Sequence, residues 1–169
     1  MYQIIGKIEE KMLDKKRCDQ LVEKAKTLSK APIIDYKEIC HLEKQLQVII
    51  PNDFKYINSK YNYEYIDFFS FYSFSFGVIE ETLYYRANYN LEKEYVILSK
   101  QDDVSFLLLK TKSLDESEVV WCAYQDFFNL CDGRPMEYNP TIFPSFTDFF
   151  EYLLDEEQKM QAEDSEVLN

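Results

Sequence analysis

Residues 94–124 read EYVILSKQDDVSFLLLKTKSLDESEVVWCAY, and this stretch decides the fold. Three runs of β-branched, aliphatic and aromatic residues, 95–98, 104–109 and 119–124, each have the length of a strand. Between them lie Asp102-Asp103 and Ser113-Leu114-Asp115-Glu116-Ser117-Glu118, polar segments that read as turns. Upstream, Phe69, Phe71, the Ser-Phe-Ser-Phe alternation of 73–76 and the apolar-rich 78–85 extend the expected strand content.

The flanks carry helical spacing instead. Ile4, Ile8 and Met12, then Leu21, Ala25 and Leu28, predict one long or two short amphipathic helices over 3–29. Asp35, with Glu38 three residues later, has the form of a capping box and opens a helix over 36–47 whose apolar face is Ile39, Leu42 and Leu46. Pro51 suits the first turn of a further short helix bearing Phe54 and Ile57. Ser145 and Asp148 form a second capping box ahead of a C-terminal helix with Phe146, Phe149, Phe150, Leu153 and Leu154 on its buried stripe. Helices, then strands, then a helix predict an α+β domain: a mostly antiparallel sheet flanked by N-terminal helices and a C-terminal helix. The expected organisation is a helical extension over 1–30, the α+β domain over 31–158, and a mobile acidic tail over 159–169.

The chain of 169 residues has 19 Lys+Arg against 31 Asp+Glu, a formal net charge of −12. That charge argues against nucleic acid or an anionic membrane as partner, because phosphate binding draws on counterion release by Lys and Arg; a basic macromolecule is what the field attracts. Residues 1–30 hold eight basic and five acidic side chains, a net +3, which leaves −15 on the remainder. No apolar run approaches the roughly 20 residues of a membrane span, and the charged N-terminus lacks the apolar core of a signal peptide. Cys18, Cys40, Cys122 and Cys131 contain no CxxC pair and are expected as reduced, mostly buried thiols of a cytoplasmic protein.

Chemistry-bearing patterns are sparse. His41 is the single histidine, with no nucleophile placed by sequence to serve it and too few His/Cys partners for a zinc site. The acidic groups Glu80-Glu81, Asp102-Asp103, Asp115/Glu116/Glu118 and Asp126 read as solvated turn or surface residues, although a carboxylate-pair hydrolase is a further reading of them. Gly6, Gly77 and Gly133 stand alone, without a phosphate-cradling loop. No catalytic residue, cofactor or metal is therefore expected. The 14 Tyr and 13 Phe are the distinctive feature. Phe68, Phe69, Phe71, Phe74 and Phe76, with Phe127, Phe128, Phe149 and Phe150, read as core, whereas Tyr61, Tyr63, Tyr65, Tyr84, Tyr85, Tyr89 and Tyr138 fall at polar positions and suit a binding face.

Two segments resemble the SUKH superfamily, which includes bacterial immunity proteins and yeast regulators of cell-wall synthesis. One is Leu42-Glu43-Lys44-Gln45-Leu46 with Ile50-Pro51-Asn52-Asp53-Phe54-Lys55-Tyr56-Ile57; the other is Ser145-Phe146-Thr147-Asp148-Phe149-Phe150. The resemblance spans residues 35–155 and departs at two turns, where Tyr63 and Asp102-Asp103 stand in place of glycines. It implies a SUKH-like α+β fold and an immunity role: binding and neutralising a cognate toxin, in this family often a nuclease, in the cytoplasm. The runner-up is a regulatory or scaffolding module with no toxin partner. Clustered charge in loops 99–104, 112–118 and 134–139 nominates Asp102, Asp103, Asp115, Glu116, Glu118, Glu137 and Tyr138 as partner-binding residues.

Overall fold

The computed structural model describes residues 13–74 and 76–167. The three apolar runs form the centre of a four-stranded antiparallel meander: β1 (Tyr95–Gln101), β2 (Ser105–Lys110), β3 (Val119–Ala123) and β4 (Thr141–Phe143), in that spatial order. The sheet is covered on both sides, so its strands are near-continuous apolar runs and not half-polar alternations. Val96, Leu98, Leu107, Leu109 and Val119 belong to one core; Ile97, Phe106, Leu108, Val120 and Cys122 belong to the other.

The first core is closed by α1 (Lys15–Leu28), α2 (Tyr36–Leu46), α3 (Asn52–Asn58), the start of α4 (Gly77–Tyr89) and α6 (Phe146–Val167). The second is closed by the later part of α4 and by α5 (Tyr124–Cys131), where Phe127 stacks on Phe106 with ring centroids 3.7 Å apart. The outer edge of β1 is occupied: Thr82 Oγ1 accepts the Ile97 N–H at 3.0 Å and Leu98 O accepts the Tyr72 N–H at 3.0 Å. The opposite edge strand, β4, has three residues between Pro140 and Pro144, a short edge that offers little to a second sheet.

Several expectations are corrected. Segment 78–85 is helical: Val78, Thr82 and Tyr85 are buried at spacings of four and three while Leu83 and Tyr84 face out. Residues 69–74 form no strand either; Phe69 and Phe74 anchor an irregular segment, whose Phe74 N–H is taken by the Glu64 carboxylate. Aromatic side chains at alternate positions can pin a loop to a core as well as a strand, and here the loop's backbone is held by the Glu64 and Ser99 side chains and by Leu98 O. The third apolar run ends as a strand at Ala123, and Tyr124 starts α5, which with β4 lay outside the expected elements.

The N-terminal helix covers Lys15–Leu28, and residues 1–12 of the expected extension lie outside the described residues. Cys18, Leu21, Val22 and Ala25 are buried in the common core. The helix runs parallel to α6: Arg17 pairs with Asp148 and Glu151, Lys24 with Asp155, and Gln161 Nε2 donates to Leu28 O. Helix α6 continues to Val167, so most of the 159–169 segment is helical.

Asp53 ties these parts together. Its Oδ2 accepts the Ser117 hydroxyl at 2.7 Å, the Thr147 N–H at 3.0 Å and the Thr147 hydroxyl at 3.1 Å; its Oδ1 accepts the Phe54 N–H at 2.8 Å. Ser117 Oγ in turn accepts the Phe146 N–H at 2.9 Å, and Ser145 Oγ accepts the Asp148 N–H at 3.1 Å. The first three N–H groups of α6, which a helix leaves without internal partners, are thus all satisfied by side chains.

Asp53→Ala is expected to lower unfolding free energy by about 3 kcal/mol, because it leaves buried donors of two segments without their charged acceptor. Ser117→Ala alone should cost about 1 kcal/mol, and much less in the Asp53→Ala background, since the two groups act as one network. Urea unfolding of the four members of this cycle checks both; strict additivity would contradict the shared network.

Candidate functional site

The seven residues nominated by charge do not lie together. Asp102 and Asp103 occupy the β1–β2 turn, where Asp102 takes the left-handed φ of 45° that glycine favours. Asp103 is 85 % exposed along its side chain, 3.7 Å from Lys100, and Val104 beside it is also exposed. Tyr124, at the start of α5, donates its N–H to Val104 O at 2.9 Å. Two residues on, the fully buried Asp126 accepts the N–H groups of Glu137 at 2.6 Å and Tyr138 at 2.9 Å, which brings that exposed pair to the same end of the sheet. Asp126 is therefore an internal anchor of the 134–139 loop and not a surface acid.

Asp115, Glu116 and Glu118 lie in the β2–β3 loop at the other end. The six residues of β2 separate the two groups by about 20 Å at the usual strand rise. Asn52 holds this second loop, donating its N–H to Leu114 O at 2.8 Å and its side-chain amide to Asp115 at 3.3 Å. Glu118 faces Lys110 at 3.9 Å. Here the starts of α1, α3 and α6 converge on a cavity of about 210 Å³ lined by Asp14, Arg17, Asn52, Asp115 and Asp148, with Leu13 and Leu114 as apolar walls. Carboxylates at helix N-termini are favoured by the helix dipole, so this cavity is shaped by acids that also stabilise the helices around it.

The tyrosines divide as well. Tyr61, Tyr63 and Tyr85 are buried, which removes them from any binding face, whereas Tyr65, Tyr84, Tyr89 and Tyr138 are exposed. Tyr84 and Tyr89 begin a strip of rings that continues to Phe128 and Tyr124, with neighbouring centroids 6.0, 5.1 and 4.8 Å apart. A side-chain hydrogen bond with Tyr89 holds the Tyr84 phenol above its ordinary range. Phe128, expected in the core, is only half-buried and belongs to this strip, and Phe76, expected there too, is exposed just before α4 begins. Reading 78–85 as a strand hid the strip, because only the helix places Tyr84 and Tyr89 beside α5.

Among the described residues no group of three His, Cys, Asp or Glu side chains is arranged to hold a metal ion, and no helix is long and apolar enough to cross a membrane. His41 is exposed on α2. Burial pushes the Cys122 thiol up to about 12 and the Cys131 thiol up to about 11, so both stay neutral at physiological pH and lack the thiolate that nucleophilic chemistry needs. No family model and no curated protein matches the chain.

Iodoacetamide at pH 8 is expected to label the half-exposed Cys40 first and to leave Cys122 and Cys131 unmodified until denaturant is added, when their pKa values fall to ordinary thiol values and their thiolate fraction rises. Peptide mass mapping across a denaturant series reads this directly; early labelling of Cys122 would contradict its burial.

Proposed function

We propose that this chain is an immunity protein, acting by non-enzymatic contact with a basic protein toxin in the cytoplasm of the cell that makes both. The observation that carries the reading is the pairing of exposed carboxylates with exposed aromatic rings: Asp102, Asp103 and Val104 adjoin the Tyr84–Tyr89–Phe128–Tyr124 strip on a chain of net charge −12. Aromatic residues provide the large rigid contacts that dominate protein interfaces, while the surrounding negative field speeds encounter with a cationic partner and repels the nucleic acid a nuclease would bind.

The SUKH resemblance supports the same reading. Its two segments, around Pro51-Asn52-Asp53-Phe54 and Ser145-Phe146-Thr147-Asp148, lie in direct contact through Asp53 and Thr147. An extension helix over 1–30 used for self-association would favour the rival regulatory reading; its described part, α1, buries its apolar face against α3 and α6.

The test is to sequence the neighbouring open reading frames and to co-express this chain with the C-terminal domain of any large secreted protein found among them; the lack of such a neighbour would count against the proposal. Growth rescue together with a stable complex in native mass spectrometry is expected, with an association rate that falls as salt rises. Failure to rescue and failure to form the complex would overturn it.

A further inference from the structure

Among the described residues, the outer ring strip of α4 and α5 has a partner on one side only. Tyr85 and Phe127 pack it down onto Phe106 and the sheet, while Tyr84 and Tyr89 present about half and two fifths of their surface to solvent. At the far end the strip meets Val104 and the acidic turn.

The chain's own Lys100 shows how this surface treats a cation. Its ammonium lies 6.0 Å from the centre of the Phe106 ring and 3.7 Å from the Asp103 carboxylate, within the influence of the Tyr85 and Tyr124 hydroxyls. A positive group over an aromatic face and beside a carboxylate is stabilised by both the ring quadrupole and the ion pair. Lys100 fills the inner position. Further out, Tyr84 and Tyr89 offer the same kind of face, with Glu81 three residues before Tyr84 on the same helix and therefore its neighbour on the helix surface.

We infer that the Tyr84–Tyr89–Phe128–Tyr124 strip and the Asp102-Asp103 turn form one docking surface for an arginine- or lysine-bearing segment of a basic protein partner. Cationic side chains lie across Tyr84 and Tyr89 while the turn carboxylates take a second cation, and Val104 supplies apolar contact at the turn end. Charge complementarity selects this occupant: the surface combines an aromatic centre with Glu81, Asp102 and Asp103 around it and has Lys100 as its internal cation. The acidic cavity at the opposite end of the sheet is assigned no part in it. The inference rests on the reading of the chain as a binder of a basic protein and names the face and the chemistry of that contact.

The test uses the full chain and a synthetic peptide of repeated Arg-Gly-Gly, with a Glu-Gly-Gly peptide as control, and follows the tyrosine ring signals by NMR. The arginine peptide should shift Tyr84 and Tyr89, and Tyr84→Ala with Tyr89→Ala should weaken its binding by at least about tenfold. Asp102→Asn with Asp103→Asn should weaken binding and flatten its salt dependence, while Asp115→Asn with Glu116→Gln, the same change in net charge, should leave binding within about twofold. All these side chains are exposed, and thermal unfolding confirms that each variant folds. Equal weakening by the two charge-matched pairs, or shifts centred on the 113–118 loop, would overturn the inference by showing bulk charge or the wrong end at work. Concentration-dependent dimerisation that the Tyr84→Ala/Tyr89→Ala variant abolishes would overturn it in favour of a second copy. Growth rescue separates the two levels: a wild type that protects while the tyrosine variant protects equally removes the docking surface and leaves immunity standing, whereas a wild type that never protects removes immunity and leaves the peptide result to decide the surface.

Discussion

A single buried carboxylate organises this molecule. Asp53 joins three segments far apart in sequence: the start of α3, the β2–β3 loop through Ser117, and the start of α6 through Thr147. A carboxylate withdrawn from water costs several kcal/mol unless donors replace the lost solvent. Asp53 receives four, and the position at the N-terminus of a 22-residue helix adds a favourable dipole. The constraint works in both directions. Because the loop before β3 must present Ser117 to Asp53, the pairing of Val119 with Leu109 on one side and Phe143 on the other is fixed at the same end where α6 begins. The packing of Phe54 on Phe146, with centroids 4.5 Å apart, then follows from the polar network beside it.

How much of this is legible in the sequence depends on whether the signal is local. Asp35 does cap α2 by accepting the Lys37 N–H, and Ser145 does cap α6, because a capping residue and its target lie within three positions of each other. The three central strands also declare themselves, since burial on both faces makes each an unbroken apolar run. Asp53 is visible only as a letter in a short motif; its partners at Ser117 and Thr147 are non-local, and nothing in a one-dimensional pattern brings them together. The same limit explains α4. Residues 78–85 contain apolar and aromatic side chains in a density that suits either period, and the choice is made by Thr82 and Tyr85 meeting β1 and the second core. Once that choice is missed, the neighbourhood of Tyr84, Tyr89 and Phe128 is missed with it.

The uneven charge gains a structural meaning from the parallel pairing of α1 with α6. The +3 excess of residues 1–30 is not a separate basic arm over its described part: Arg17 and Lys24 lie against Asp148, Glu151 and Asp155, and Lys60 from α3's end takes Asp19. These pairs are partly exposed and screened by solvent, so each adds little to stability, but together they offset part of the acidic charge of α6. The acidic turn has Lys100 as its counterion, and the β2–β3 loop has Lys110 between Glu94 and Glu118. The acidic groups at the two ends of the sheet thus each keep a lysine beside them and still carry more carboxylates than cations. Of those ends, the β2–β3 loop is drawn into the Asp53 network that keeps the fold together, which ties any change there to stability. The β1–β2 turn makes no such contribution: Asp102 and Asp103 project from a tight turn, next to rings already supported from beneath by Phe106 and Phe127. Rigid support below and freedom from structural duty above are the conditions under which a surface can vary with its partner while the domain that carries it stays the same.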